Sequence, residues 1–159
     1  MRLANAADIP ALMALEAAVS TAAHWTGEMY ARIFDPEALR RLALVLEEDG
    51  KLMGFMVALC AGPEWELENL AVAEEVRRKG WGSRLLERLL AQAQASGAEG
   101  VFLEVRESNR AARGIYRRLG FLESGRKRAY YQDPVEDAIA LCRYLQQGPG
   151  PVAEVVDSR

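Results

Sequence analysis

Arg77-Arg78-Lys79-Gly80-Trp81-Gly82 is the most informative turn of this chain, because it joins the apolar strand Leu70-Ala71-Val72 to a leucine-rich helix. The first N–H groups of a helix have no acceptor within it and carry partial positive charge. The two glycines let an anion approach the backbone closely, since no Cβ intervenes. Three basic side chains add positive charge. The turn therefore predicts an anion-binding site, most simply for a pyrophosphate.

Two common phosphate-binding turns do not fit this segment. A P-loop would end in Gly-Lys-Ser/Thr, and no such ending is present. The dinucleotide fingerprint needs a third glycine at the position that Leu85 occupies. From the residues alone, a basic glycine-containing turn that holds no ligand remains the alternative.

The charge distribution narrows the class of ligand. The net charge of −3 argues against general nucleic-acid binding. Residues 77–128 nevertheless hold thirteen of the twenty basic residues and only five acidic ones. This local excess suits an anionic small molecule, although solvated helix faces account for part of it.

The composition predicts one globular domain that does not associate with a membrane. Of the 159 residues, 50% are hydrophobic and 27% are charged, and no run approaches the ~18 apolar residues of a membrane span. Asp8 and Glu16 interrupt the first twenty residues, which do not resemble a secretory signal, so a cytoplasmic location is expected. Cys60 and Cys142 lie in apolar stretches without metal-ligand spacing; we expect them in the core and expect no metal.

Hydrophobic periodicity predicts the order of the elements: helices, three strands, a helix, a strand, a helix and two strands. The predicted helices span residues 8–19, 26–34, 80–96 and 109–119, with Asp8 as the expected cap of the first. The predicted strands span residues 42–46, 52–60, 64–72, 101–105, 121–131 and 138–144. This order predicts one α/β domain on a mixed sheet, over residues 1–147. Gly148-Pro149-Gly150-Pro151 breaks any regular element, so residues 148–159 are expected to form a flexible tail.

Several later segments, together with the basic turn, resemble a known family. They are Leu103-Glu104-Val105-Arg106, Ser108-Asn109, Ala111-Ala112, Ile115-Tyr116-x-x-Leu119-Gly120-Phe121, Tyr130-Tyr131 and Glu136-Asp137-Ala138. The Arg-x-x-Gly-x-Gly pattern is similar to the acetyl-CoA signature of the GNAT superfamily of N-acetyltransferases. The combination, over residues 2–145, most resembles its ribosomal-protein alanine N-acetyltransferases (the RimI type). This resemblance implies a mixed, mostly antiparallel central sheet with helices on both faces.

The resemblance also implies acetyl-CoA as co-substrate and assigns residues to it. Backbone groups of the strand would meet the pantetheine arm, the turn would bind the pyrophosphate, and an asparagine would hydrogen-bond near the pantetheine. The strand residues are Leu70, Ala71 and Val72. The turn residues are Arg77, Arg78, Lys79, Gly80, Trp81, Gly82 and Ser83, and the asparagine is Asn109.

Glu104 matches the family's proposed general base and Tyr116 its general acid. From the residues alone, Glu104 also fits a surface carboxylate paired with Arg106 or Arg128, and Tyr116 fits a core tyrosine. Trp25 and Tyr131 would border the acceptor groove. Here the family's Pro-Trp-Ser segment reads His-Trp-Thr, and the stretch after the second tyrosine is shorter than in some relatives.

The acceptor that the resemblance implies is the N-terminal α-amino group of a protein, such as a ribosomal protein. With a pKa of about 7.7–8.0, such an amine is partly neutral near neutral pH, whereas lysine, at about 10.4, is almost fully charged. A modest base therefore suffices to deprotonate an N-terminal amine. The alternatives are a transferase for a small amine or a lysine side chain, and a non-catalytic acyl-CoA-binding module.

Overall fold

A seven-stranded sheet forms the centre of the computed structural model, which describes residues 1–20 and 22–146. Its strands are β1 (Arg2–Leu3), β2 (Arg41–Glu48), β3 (Lys51–Ala61), β4 (Glu64–Val72), β5 (Gly100–Arg106), β6 (Leu122–Tyr131) and β7 (Glu136–Tyr144). The helices are α1 (Ile9–Ala17), α2 (Gly27–Arg32), α3 (Trp81–Ala95) and α4 (Arg110–Arg118), with 3₁₀ turns at Ala6–Asp8 and Glu74–Val76. The tail predicted at residues 148–159 lies outside the described residues.

The strands lie in the order β1-β2-β3-β4-β5-β7-β6. Neighbours are antiparallel except β4 and β5, which run parallel and are connected through α3. The β2–β3 hairpin turns on Asp49 and Gly50, whose φ angles of 52° and 78° suit a two-residue turn of the primed type. The predicted mixed, mostly antiparallel sheet is confirmed.

Apolar residues cover both faces of the sheet. On one face, α3 packs Leu85, Leu86 and Leu89 into a core cluster that also contains Met56 and Leu103. On the other face, a second cluster brings Leu12 of α1 and Tyr30 of α2 against Phe55 and Val57 of β3. The helices therefore flank the sheet on both sides, as the resemblance implies.

Residues at their ends determine where α3 and α4, the two helices that border the cleft described below, begin and end. Gly80 precedes α3 with a left-handed φ of 78°, and Gly97 follows it with a φ of 74°. The side chain of Asn109 caps α4 by accepting a hydrogen bond from the N–H of Ala112 at 3.2 Å. These bounds agree with the predicted helices to within one residue.

The start of α1 differs from the prediction. Asp8 stands at the expected capping position, but its carboxylate accepts hydrogen bonds from both terminal nitrogens of Arg2, each at 2.8 Å, and from the N–H of Asn5 at 2.8 Å. A bidentate guanidinium holds a carboxylate more strongly than a single helical N–H does. The short strand β1, which carries Arg2, was not predicted. Within residues 1–20 and 22–146, none of the helices has the length and apolar character needed to cross a bilayer.

Candidate active site

A cleft opens where the parallel strands β4 and β5 separate. Their ladder runs from Glu64 opposite Gly100 to Leu67 opposite Leu103. In the register between β3 and β4, Leu67 and Asn69 pair with adjacent residues of β3, so Glu68 is the additional residue of a β-bulge. A bulge bends its strand and increases the local twist. The resulting cleft has a volume of about 730 Å³, within the usual range of ligand sites.

Most of the residues predicted for the site line this one cleft. They are Leu70, Ala71, Val72, Arg77, Arg78, Gly80, Trp81, Gly82, Ser83 and Asn109 from the predicted cofactor site, together with Glu104, Tyr116 and Tyr131. Two predicted residues, Lys79 and Trp25, are not among its lining. The fold therefore brings together segments that lie more than sixty residues apart along the chain.

The basic turn has the geometry of an anion site. Gly80 adopts a left-handed conformation. The first hydrogen bond of α3 runs from the N–H of Arg84 to the carbonyl of Gly80 at 3.1 Å. The N–H groups before Arg84 therefore point out of the start of α3. A Cβ added at Gly80 would meet no atom within 4 Å, so the approach to this backbone is open. These features, in a cleft of this size, fit the pyrophosphate of acetyl-CoA.

Two arginines of the turn behave differently. Arg78 has a φ of 66°, a left-handed conformation that is uncommon for a residue with a side chain. The Nε of Arg77 donates to the carbonyl of Val72 at 3.4 Å, which links the turn back to the end of β4. Both residues line the cleft, and both add positive charge beside the start of α3.

Glu104 lies on the cleft wall, and its side chain is 21% exposed. The carboxylate forms an ion pair with the ammonium of Lys127 rather than with Arg106 or Arg128. Interaction with this carboxylate is the main reason that the pKa of the nearby Tyr130 is raised. Arg106 instead pairs with Glu136 at 3.4 Å.

Two further tyrosines face the same space. Tyr116 of α4 is buried and packs edge-on against Phe121, with ring centroids 5.7 Å apart. Burial, followed by the influence of Tyr131, raises the pKa of Tyr116 above its ordinary value, so its proton is retained at neutral pH. Burial, followed by the charge of Glu104, raises the pKa of Tyr131 to about 12. The guanidinium of Arg106 lies 4.4 Å from the centroid of the Tyr131 ring and holds it at the cleft.

A buried carboxylate behind the cleft was missed in the sequence. Glu16 of α1 accepts hydrogen bonds from the hydroxyl of Tyr30 at 2.6 Å, from Nδ2 of Asn69 at 2.9 Å and from the N–H of Trp25 at 3.0 Å. Asn69 itself lines the cleft. The sequence does contain a signal for the burial of Glu16: it follows Leu12 by four residues, which puts both side chains on the same, buried side of α1.

This network also explains where Trp25 lies. Its backbone is tied to Glu16, and its ring packs against Tyr30 with centroids 5.4 Å apart. The neighbouring residues Ala22 and Ala23 reach the cleft, and His24 is exposed with a φ of 56°. A contact between Trp25 and the acceptor therefore stays a prediction.

Arg118 and Glu68 also line the cleft, and neither was among the predicted site residues. Arg118 lies at the end of α4, on the same helical face as Ala111 and Ile115, which also line the cleft. Ile115 follows Ala111 by four residues and Arg118 follows Ile115 by three. This helical spacing could have identified Arg118 as a residue on the cleft side of α4. Glu68, the bulged residue, is neutralised by Arg41 through bonds of 2.6 and 3.2 Å.

Comparison with known proteins agrees with this geometry. Residues 10–121 match the family described as the acetyltransferase (GNAT) family. A [ribosomal protein bS18]-alanine N-acetyltransferase from Salmonella typhimurium is 34% identical over 136 residues, which cover 84% of this chain and 89% of that protein. The protein of the same description from Escherichia coli is 38% identical over 104 residues, 64% of this chain and 70% of that protein.

A solved structure extends the similarity to the fold. The ribosomal-protein-S18-alanine N-acetyltransferase from Escherichia coli superposes with a TM-score of 0.83 at 31% sequence identity, covering 94% of this chain and 95% of that one. The resemblance stated from the sequence motifs is thereby confirmed. Members of this family use acetyl-CoA. The chain belongs to the acetyltransferase (GNAT) family and is an N-acetyltransferase.

Proposed function

We propose that this enzyme transfers an acetyl group from acetyl-CoA to the α-amino group of a protein N-terminus, with the N-terminal alanine of a ribosomal protein as the favoured acceptor. The observation that supports this most is the single cleft lined by the glycine turn, Glu104 and Tyr116. The names of the relatives suggest the ribosomal acceptor.

Different residues of the cleft bind different parts of the co-substrate. The N–H groups at the start of α3 and the basic side chains of the turn bind the pyrophosphate. Backbone groups of Leu70–Val72 align the pantetheine arm, and Arg118 adds positive charge at the end of α4. When bound, acetyl-CoA supplies an activated thioester carbonyl.

Two side chains move the protons. Glu104 receives a proton from the acceptor ammonium, a step that needs only a modest base because the pKa of an α-amino group lies near neutrality. The neutral amine attacks the thioester carbonyl, and the carbon–sulfur bond breaks. Tyr116 donates a proton to the departing sulfur and regains one as the nitrogen loses its second proton; burial keeps the phenol protonated until then. Both groups line the same cleft, Glu104 from β5 and Tyr116 from α4.

The acceptor enters on the side of the loop after α1. Val19, Ala22 and Ala23 of that region and Tyr131 at the end of β6 border the cleft there. The carboxylates of Glu66 and Glu104 lie on this side and suit a cationic amine, whereas Glu68 is neutralised by Arg41. We also propose a cytoplasmic location, where ribosomal proteins are made.

A peptide panel tests the proposal. The purified enzyme, with acetyl-CoA, is given a peptide that has a free N-terminal alanine and an internal lysine, its N-terminally blocked twin, and a polyamine. Mass spectrometry is expected to locate the new acetyl group on the α-amine of the first peptide. Acetylation confined to lysine or to the polyamine would refute the acceptor, and CoA binding without any transfer would favour a non-catalytic module.

A further inference from the structure

An ammonium-binding arrangement lies beside the cleft, and a lysine of the chain fills it. The Nζ atom of Lys127 on β6 pairs with Oε1 of Glu104 on β5. The same Nζ lies 5.0 Å from the centroid of the Tyr130 ring, and Glu104 raises the pKa of the Tyr130 hydroxyl, which places that hydroxyl near the same carboxylate. A carboxylate combined with an aromatic face is a general means of recognising an ammonium group.

A second carboxylate, that of Glu66, lies near this arrangement. Burial and then the charges of Glu68 and Glu104 raise the pKa of Glu66, and Lys127 acts against that rise. Glu68 is already paired with Arg41 at 2.6 Å. Glu66 therefore lies close enough to the Glu104–Lys127 pair to be influenced by both charges, and its carboxylate adds to the attraction for a cation.

Lys127 can leave without disturbing the core. Its side chain is 53% exposed, compared with 21% for Glu104, and β6 is the last strand of the sheet. An exposed ion pair of this kind contributes little to stability, because solvent screens it and the lysine loses side-chain entropy. Glu104 stays on the cleft wall when the lysine swings into solvent.

We propose that Lys127 is an internal substitute for the acceptor: its ammonium occupies the position beside Glu104 and Tyr130 that the acceptor's ammonium takes before transfer. Lys127 thereby weakens acceptor binding and excludes amines that compete poorly with it. This inference rests on the proposed function, in which Glu104 receives the acceptor's proton. Lys127 is a specificity-determining residue that acts through competition for Glu104.

The test measures acceptor binding without turnover. The enzyme, saturated with CoA, is titrated calorimetrically with a peptide that has a free N-terminal alanine and with its N-acetylated twin. We expect Lys127→Met to bind the free peptide about two- to fivefold more tightly than the unsubstituted enzyme, the range typical of exposed ion pairs. Binding of the twin is expected to stay the same. The KM for the acceptor should fall in the same direction.

Two variants serve as controls. Lys127→Arg keeps the charge and is expected to restore most of the original affinity. Arg128→Met removes the same charge from the adjacent exposed position and is expected to leave both peptides unaffected. The gain in Lys127→Met should shrink at about 0.5 M salt, because screening weakens the original ion pair.

Three outcomes would overturn the inference: weaker or equal binding of the free peptide by Lys127→Met, an equal gain for the blocked twin, or no discrimination between the two peptides by either protein. The proposed function is judged separately by the mass-spectrometric panel on the unsubstituted enzyme. An enzyme that binds the free peptide more tightly after Lys127→Met, yet acetylates only lysine or polyamine, would refute the acceptor assignment and keep the ammonium site.

Discussion

Leu67 of β4 and Leu103 of β5 form the last ladder pair between the two parallel strands. The next residue of each strand, Glu68 and Glu104, already lines the cleft. Leu67 itself also lines the cleft, so the site begins where this ladder ends. Because the bulge at Glu68 bends β4 away from β5, the co-substrate and the acceptor can meet within the sheet rather than on its surface.

Glu104→Gln should remove the proton acceptor while keeping the size of the side chain. We expect kcat for N-terminal acetylation to fall by about 10²-fold or more, the usual contribution of a general base. CoA affinity should change by less than about twofold, since Glu104 lies outside the turn. Initial rates and calorimetry check these values, with Glu87→Gln on the exposed side of α3 as the control. Turnover equal to that of the control would remove Glu104 from the mechanism.

Tyr116→Phe should remove the proton donor and keep the ring contact with Phe121. We expect kcat to fall by about tenfold to 10²-fold with little change in the unfolding temperature. Since the pKa of Tyr116 is raised above the ordinary 10.0, its phenol stays protonated up to that pH, and the unsubstituted enzyme should show no loss from this group between about pH 8 and 10. Rate profiles of both proteins over this range check the expectation. An alkaline loss that disappears in Tyr116→Phe would contradict it.

Gly80→Ala should impair the anion site through the backbone. A Cβ meets no atom there, but a φ of 78° is left-handed, and the strain costs about 1–2 kcal/mol for a residue other than glycine. We expect CoA to bind at least about fivefold more weakly, which corresponds to about 1 kcal/mol. Gly50→Ala is a matched control, because Gly50 has the same φ and the same open space in the β2–β3 turn. Both variants should lose similar stability in urea unfolding, and only the first should lose CoA affinity; an equal effect on binding would contradict the assignment.

Glu16→Ala should destabilise the fold and the acceptor side of the cleft together. The buried donors of Tyr30 and Asn69 and the partly buried N–H of Trp25 would lose their acceptor, at a cost of about 2–4 kcal/mol in the free energy of unfolding. The KM for the acceptor should also rise, because the loop after α1 loses its attachment to β4. Denaturant unfolding and peptide kinetics measure the two effects. Glu48→Ala, at an exposed end of β2, should stay within about 0.5 kcal/mol; a similar loss there would show that the network is not the cause.

Elements encoded by neighbouring residues could be predicted closely. The leucine spacing of α3, the glycines that flank it and the Asp49-Gly50 turn each act within a few residues, so their bounds follow from periodicity and backbone preference. Strand β1 was missed because two residues carry too little pattern. The role of Asp8 was misjudged because its partner, Arg2, is brought close only by that strand.

Several features of the site depended on residues that are distant in the sequence. Lys127 lies 23 residues from Glu104, and Asn69 lies 53 residues from Glu16. Arg106 and Arg128 were equally reasonable partners for Glu104 until the register of β5, β7 and β6 brought Lys127 to it. A one-residue change of register reverses the face of every side chain on a strand, so the partner cannot be read from spacing alone.

The sequence by itself determined the basic glycine turn, the helix behind it and the order of strands and helices, because backbone conformation, apolar periodicity and local charge act over short distances. Only the tertiary structure decided that β4 and β5 part after Leu67 and Leu103, that Glu16 anchors the loop after α1, and that Lys127 rests against Glu104. These contacts join residues that are distant in the sequence. Several partners are possible for each of them, and only the packed sheet brings one of those partners into contact.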